Sequence, residues 1–196
     1  MTPTHPAGHP GGHPHGAPSQ DKKEATLRLV AWETTRACNL ACKHCRAAAI
    51  NKPYEGELDT QAAFRLMDQI AEVGQPIVIL TGGEPLLRND IFDIAQYGTD
   101  KGLRMVMAPN GTLITPEHAQ RMVDSGIKRI SISLDGATRE QHDSFRGVEG
   151  AYDGALRGIE YAKSVGLDFQ INTTISKLNL CLLYTSDAAD ESSRGG

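Results

Sequence analysis

The strongest constraint on the fold is an alternation. Between residues 21 and 180, short β-rich runs trade places with helical segments, unit after unit. Residues 27–33 form a β-rich run. Residues 60–73 carry Ala63, Leu66, Met67 and Ile70 at helical spacing, after Asp59, a good N-cap. Residues 76–81 make a short apolar strand of the kind found in parallel sheets covered on both faces. Residues 90–101 read as helix and 103–108 as strand. Thr115 caps a helix that has Pro116 at its first position and runs to Ser125, where Gly126 stops it. Residues 128–134 alternate as a strand. Residues 151–165 read as helix, ended by Gly166, and 167–174 are a fifth strand.

Strands separated by helices imply a parallel sheet built from right-handed crossovers, hence an α/β fold. Both an open doubly wound sheet and a barrel satisfy that much. The strand ends favour a barrel. A cysteine cluster follows the first strand, and Gly82-Gly83-Glu84-Pro85 follows the second. Pro109-Asn110-Gly111 follows the third, Asp135-Gly136 the fourth, and Asn172 sits on the fifth. In a barrel those carboxyl ends form one mouth. An open sheet would gather only the ends beside its switch point.

Charge narrows the partners. Twenty Lys and Arg stand against 24 Asp and Glu, a formal net charge of -4. That balance argues against broad electrostatic binding to nucleic acid or an anionic membrane. The apolar runs, of which Ile77 to Leu80 is typical, are far too short to span a bilayer. No basic-then-apolar signal opens the chain, so a reducing, cytoplasmic setting is expected.

Cys38, Cys42 and Cys45 crowd into one short stretch, with Cys181 far away. That is poor disulfide spacing and good metal spacing. Three soft thiolates suit zinc or an iron–sulfur cluster. Structural zinc normally wants four ligands, and His44, adjacent to Cys45, is badly placed to share an ion with it. A cubane cluster held by three cysteines leaves one iron free of protein, a vacancy for a small chelating molecule.

The pattern Cys38-x3-Cys42-x2-Cys45 resembles the signature of the radical S-adenosylmethionine (SAM) superfamily. Gly82-Gly83-Glu84-Pro85 resembles its SAM-binding motif, and Ser131-Ile-Ser133-Leu-Asp135-Gly136 its ribose-contacting segment. The resemblance covers residues 27–180 and implies a partial (β/α)6 barrel, truncated here after five βα units. It implies a 4Fe-4S cluster on Cys38, Cys42 and Cys45. SAM would chelate the open iron, with Gly82, Gly83, Glu84 and Pro85 near its ammonium. Ser133 and Asp135 would meet ribose, and Arg146 the SAM carboxylate. Asn110 and Asn172 would touch SAM or substrate. His44 stands where the family usually carries an aromatic ring, and its imidazole can pack against adenine. The implied chemistry is one-electron cleavage of SAM to a 5′-deoxyadenosyl radical that takes hydrogen from substrate.

The wording VAWETTRACNLACKHCRAAA, PIVILTGGEPLLR, RMVMAPNGTLIT and RISISLDGATREQHDSFRG is similar to the subgroup with a C-terminal auxiliary-cluster (SPASM or twitch) domain. Within it, the text resembles the haem synthases of the siroheme-dependent pathway. That resemblance implies oxidative decarboxylation of two propionates of iron-coproporphyrin III, and a reducing electron donor. Enzymes that modify peptides or mature a peptide cofactor are the alternative. A non-enzymatic, truncated metal-binding fragment is a third.

Both ends read as lying outside the core. Residues 1–24 are rich in Pro, Gly and His and are expected to be disordered. Their His5, His9, His13 and His15 are weak metal donors at most. The stretch CLLYTSDAADE at 181–191 resembles one reading frame of a transposon-based sequencing adapter. Residues 181–196 are therefore expected to be a non-native tail, and Cys181 is not read as a ligand. The natural chain is expected to continue past Leu180 into auxiliary-cluster sequence, leaving this chain with weak or no turnover.

Overall fold

The computed structural model describes residues 26–179. The expected disordered head and non-native tail, with their histidines and Cys181, lie outside the described residues.

Five parallel strands form one sheet: β1 (Leu29–Glu33), β2 (Ile77–Thr81), β3 (Arg104–Met107), β4 (Ile130–Ser133) and β5 (Phe169–Asn172). Their spatial order is their chain order, β1-β2-β3-β4-β5. A doubly wound sheet reverses direction at a switch point, and this one does not. The sheet is therefore wound one way, as part of a barrel.

The helices are α1 (Thr60–Val73), α2 (Ile91–Asp100), α3 (Pro116–Asp124), α4 (Arg139–Arg146) and α5 (Ala151–Ser164). Local chemistry explains several limits. The Asp59 carboxylate accepts from the Ala62 amide at the start of α1, and the Thr115 hydroxyl accepts from the His118 amide at the start of α3. Gly126 follows α3 at φ 80°, where a side chain would be strained.

The main core lies on one face of the sheet. Val78, Leu80, Met105, Met107, Ile130 and Ile132 are wholly buried against helix residues such as Met67, Ile94 and Met122. Strand residues of opposite parity face away from the helices. Ile77 and Leu29 are exposed, and Ile79 and Val106 are half-buried. This corrects the expectation for residues 76–81. The strand is apolar from Ile77 to Leu80, yet among the described residues helices cover only one of its faces. One-way winding puts every helix outside, and the other face lines the concave interior.

One α-helix went unread in the sequence. Helix α4 is short and polar, and its apolar positions show no period. Its start carries a capping box: the Thr138 hydroxyl accepts from the Gln141 amide while the Gln141 side chain accepts from the Thr138 amide. Its end, Gly147, is left-handed at φ 71°.

Candidate metal centre and cofactor pocket

The chain leaves β1 and enters a loop that a parallel bridge between Ala37 and Ile50 closes at its base. The Cys38 amide donates to the Ile50 carbonyl at 3.0 Å, and the Ile50 amide to Arg36 at 3.1 Å. Below the bridge, one Glu57 oxygen accepts from the Thr35 hydroxyl and the Arg36 amide, at 2.8 and 3.0 Å. Cys38, Cys42 and Cys45 sit inside the ring as free thiols.

Two structures grip this loop. On one side is the turn after β2. The Gly83 amide donates to Thr35 and the Glu84 amide to the Ala37 carbonyl, each at 2.7 Å. The contact needs bare backbone. A Cβ on Gly82 would overlap the Thr35 carbonyl oxygen, and one on Gly83 the Ala37 carbonyl oxygen. These glycines thus serve first to let the turn seat against the cysteine loop. On the other side is the end of α4. The Ala41 and Lys43 amides donate to the Arg146 and Phe145 carbonyls at 3.1 Å each, so the loop satisfies carbonyls that a helix end leaves free. A Cβ on Gly147 would overlap the Ala41 carbonyl.

Each of the three described cysteine sulfurs has one N–H donor. The Leu40 amide reaches Cys38 Sγ at 3.4 Å, the Ala49 amide reaches Cys45 Sγ at 3.3 Å, and Arg146 Nη1 reaches Cys42 Sγ at 3.5 Å. Burial pushes the Cys38 thiol up from its ordinary value, while the Leu40 amide works the other way. Among the described residues, no three His, Cys, Asp or Glu side chains converge to grip a single ion. The donor set is three soft thiols, each with a hydrogen bond ready to stabilise a thiolate, which fits an iron–sulfur cluster.

Above the loop, a cavity of about 800 Å³ spreads over the carboxyl ends of the strands. That is room for a small-molecule ligand. The three cysteines, His44, Gly82, Gly83, Asn110, Ser133, Arg146 and Asn172 all line it. Three residues expected at the site do not line it: Glu84, Pro85 and Asp135. Glu84 is wholly buried, with its carboxylate oxygens accepting from the Leu86 and Asn110 amides at 3.0 and 2.7 Å. Burial pushes its carboxyl up to about 7. Pro85 is buried at the start of a 3-10 turn, Pro85–Leu87. Asp135 is also wholly buried, paired with the Arg146 guanidinium and accepting from the Thr174 amide at 2.7 Å.

Other side chains are at the wall but already engaged. Asn110 donates to Asn39 Oδ1 at 2.8 Å and accepts from the Thr112 hydroxyl at 2.7 Å, clasping β3 to the cysteine loop. His44 stacks on Phe145 of α4, with ring centroids 4.2 Å apart, and burial holds it below the usual imidazole value. Asn172 accepts from Gln170 at 3.0 Å.

Ser131, Thr81, Ala108 and Thr174 also line the cavity and were not singled out as site residues. A period of two would have found Ser131. It lies two residues before Ser133 on a strand whose Ile130 and Ile132 are core.

Comparison with known proteins agrees with this architecture. The sequence model of the Radical SAM superfamily matches residues 32–181. The chain belongs to the radical SAM superfamily. It is 57% identical over 155 residues to the AdoMet-dependent heme synthase of Nitratidesulfovibrio vulgaris, covering 79% of this chain and 42% of that protein. It is 41% identical over 162 residues to the Fe-coproporphyrin III synthase of Methanosarcina barkeri, covering 83% and 39%. It is 35% identical over 155 residues to the mycofactocin maturase MftC of Mycobacterium tuberculosis, covering 79% and 39%. The chain thus spans about two-fifths of the length of these relatives. Among solved structures, Streptococcus suis SuiB bound to S-adenosylmethionine superposes with TM-score 0.66 at 21% identity, over 82% of this chain and 37% of that one. The anSMEcpe structure with bound AdoMet gives 0.62 at 19%, over 82% and 49%. At such identities these two speak for the fold alone.

Proposed function

We propose that Cys38, Cys42 and Cys45 hold a 4Fe-4S cluster and that SAM occupies the cavity above it. Bound there, cluster and SAM supply one-electron reductive cleavage of the sulfonium, which starts hydrogen-atom abstraction from substrate. The chain's own residues bind and orient. The turn at Gly82 and Gly83 and the end of α4 fix the loop from both sides. Ser133, Asn110 and Asn172 offer polar edges to the nucleoside and its amino-acid moiety. Glu84 and Asp135 act from behind the wall by holding Asn110 and Arg146. An outside reductant provides the electron.

For the whole protein we propose haem formation by oxidative decarboxylation of an iron-coproporphyrin. The observation that carries this reading is the 57% identity to a heme synthase, against 35% to a peptide-cofactor maturase. Auxiliary clusters would belong to sequence that this chain does not share with its longer relatives.

The test uses the chain reconstituted with iron and sulfide without oxygen. SAM is expected to alter the EPR signal of the dithionite-reduced cluster, and iron-coproporphyrin III to bind with a shifted Soret band. An EPR signal blind to SAM would contradict the cofactor reading. SAM binding without porphyrin binding, together with 5′-deoxyadenosine release stimulated by a peptide, would overturn the haem reading alone.

A further inference from the structure

Three N–H donors reach the three cysteine sulfurs, and they are not alike. Those at Cys38 and Cys45 are backbone amides from the loop itself. The donor at Cys42 is a guanidinium from a residue 104 positions away, at the end of α4. We propose that Arg146, held in place by Asp135, raises the reduction potential of the cluster through Cys42. The inference rests on the cluster reading above. It is separate from any contact of Arg146 with SAM.

The placement is fixed from several directions. Arg146 keeps only 7% of its surface and Asp135 none. Arg146 Nη2 pairs with Asp135 Oδ2, while Nη1 points to Cys42 Sγ at 3.5 Å. Asp135 cannot follow a wandering arginine. Its Oδ1 accepts from the Thr174 amide at 2.7 Å, and its own amide donates to His142 Nδ1 at 3.1 Å. Its carbonyl accepts from buried Asn179 at 3.2 Å. The accepting Nδ1 requires a neutral imidazole on His142, and burial followed by the Arg146 charge favours that state. The pair is neutral as a whole, but its positive end lies against the sulfur. Low-dielectric surroundings keep that asymmetry unscreened.

Cluster potentials follow net charge, hydrogen bonds to sulfur and exposure. A reduced cluster carries one more electron, so a cation donating to a ligand sulfur stabilises the reduced form. Arg146 is the charged member of the donor set, and Asp135 is its positioning residue.

The experiment is an EPR-monitored redox titration of the reconstituted chain without SAM. Four proteins are compared: wild type, Arg146→Gln, Arg146→Lys and the double variant Asp135→Asn with Arg146→Gln. The double variant leaves no buried unpaired charge, so it guards against misfolding of the single one. Arg146→Gln is expected to lower the midpoint potential most. The double variant is expected to lower it less, because a nearby negative charge goes too. Arg146→Lys is expected to fall nearest wild type, since it restores the charge. An unchanged or raised potential in both glutamine variants, with full cluster content, overturns the inference and leaves the cluster reading standing. A wild-type chain that takes up no 4Fe-4S cluster overturns both.

Discussion

The ends of β2 and β4 each bury a carboxylate completely, and they hold it in opposite ways. Glu84, after β2, has no cation beside it among the described residues. Its oxygens rest on two backbone amides, and burial pushes the group up to about 7. Asp135, after β4, faces the Arg146 guanidinium, which in turn reaches a cysteine sulfur. The β2 end is a backbone joint: amides and bare glycines seat one turn against another. The β4 end is a charge relay of fixed geometry, from Thr174 through Asp135 and Arg146 to Cys42. One holds the loop in shape, and the other brings a cation to its edge. Neither carboxylate lines the cavity, so both act through what they hold.

The largest expected effect breaks the β4 side. Asp135→Ala strands a buried guanidinium and is expected to cost about 3–5 kcal/mol in urea unfolding. Asp135→Asn combined with Arg146→Gln is expected to recover much of that loss. Equal losses in the two would remove the contrast with β2.

The β2 side is probed by pH. Unfolded, the Glu84 carboxyl titrates near 4.5, and folded near 7. Between those values the folded state binds the extra proton, so stability falls as pH rises through the window. The wild type is expected to lose about 2–3 kcal/mol between pH 5 and pH 8 from this group. Glu84→Gln is expected to lack that slope, so its deficit against wild type shrinks at pH 8. Parallel slopes would show that Glu84 ionises as freely as an exposed acid.

Gly83→Ala tests the joint itself. Its methyl would overlap the Ala37 carbonyl, and overpacking of this kind costs about 1–3 kcal/mol. The loss should come with lower iron uptake, because the turn and the loop move together. The smallest effect is expected from Thr138→Ala, about 1 kcal/mol from the capping box of α4. Its use is diagnostic: it loosens the helix that presents Arg146 without touching the guanidinium.

Much of this was legible in the residues. Asp59 and Thr115 mark the starts of α1 and α3 because a short oxygen-bearing side chain there answers a free amide. The strand ends pointed to one mouth because each carried chemistry, and the sheet order agrees. Helix α4 was not legible by period. It shows few apolar side chains, and only the Thr138–Gln141 spacing and Gly147 mark it. The roles of Glu84 and Asp135 were not legible either. Burial of an acid depends on partners 26 and 39 positions away, at Asn110 and Thr174. The sequence suggested Gly82 and Gly83 as neighbours of the SAM ammonium, whereas the contact that needs them bare in the fold is with the backbone of Thr35 and Ala37.

The loop of Cys38, Cys42 and Cys45 is proposed to carry a 4Fe-4S cluster. Anaerobic measurement of iron, sulfide and the cluster's visible absorption, in wild type and in the variant with all three cysteines changed to alanine, tests it most directly. The predicted result is close to four irons and four sulfides per wild-type chain, and neither iron nor absorption in the variant. Zinc in place of iron in the wild type, or iron and absorption unchanged in the variant, would contradict it.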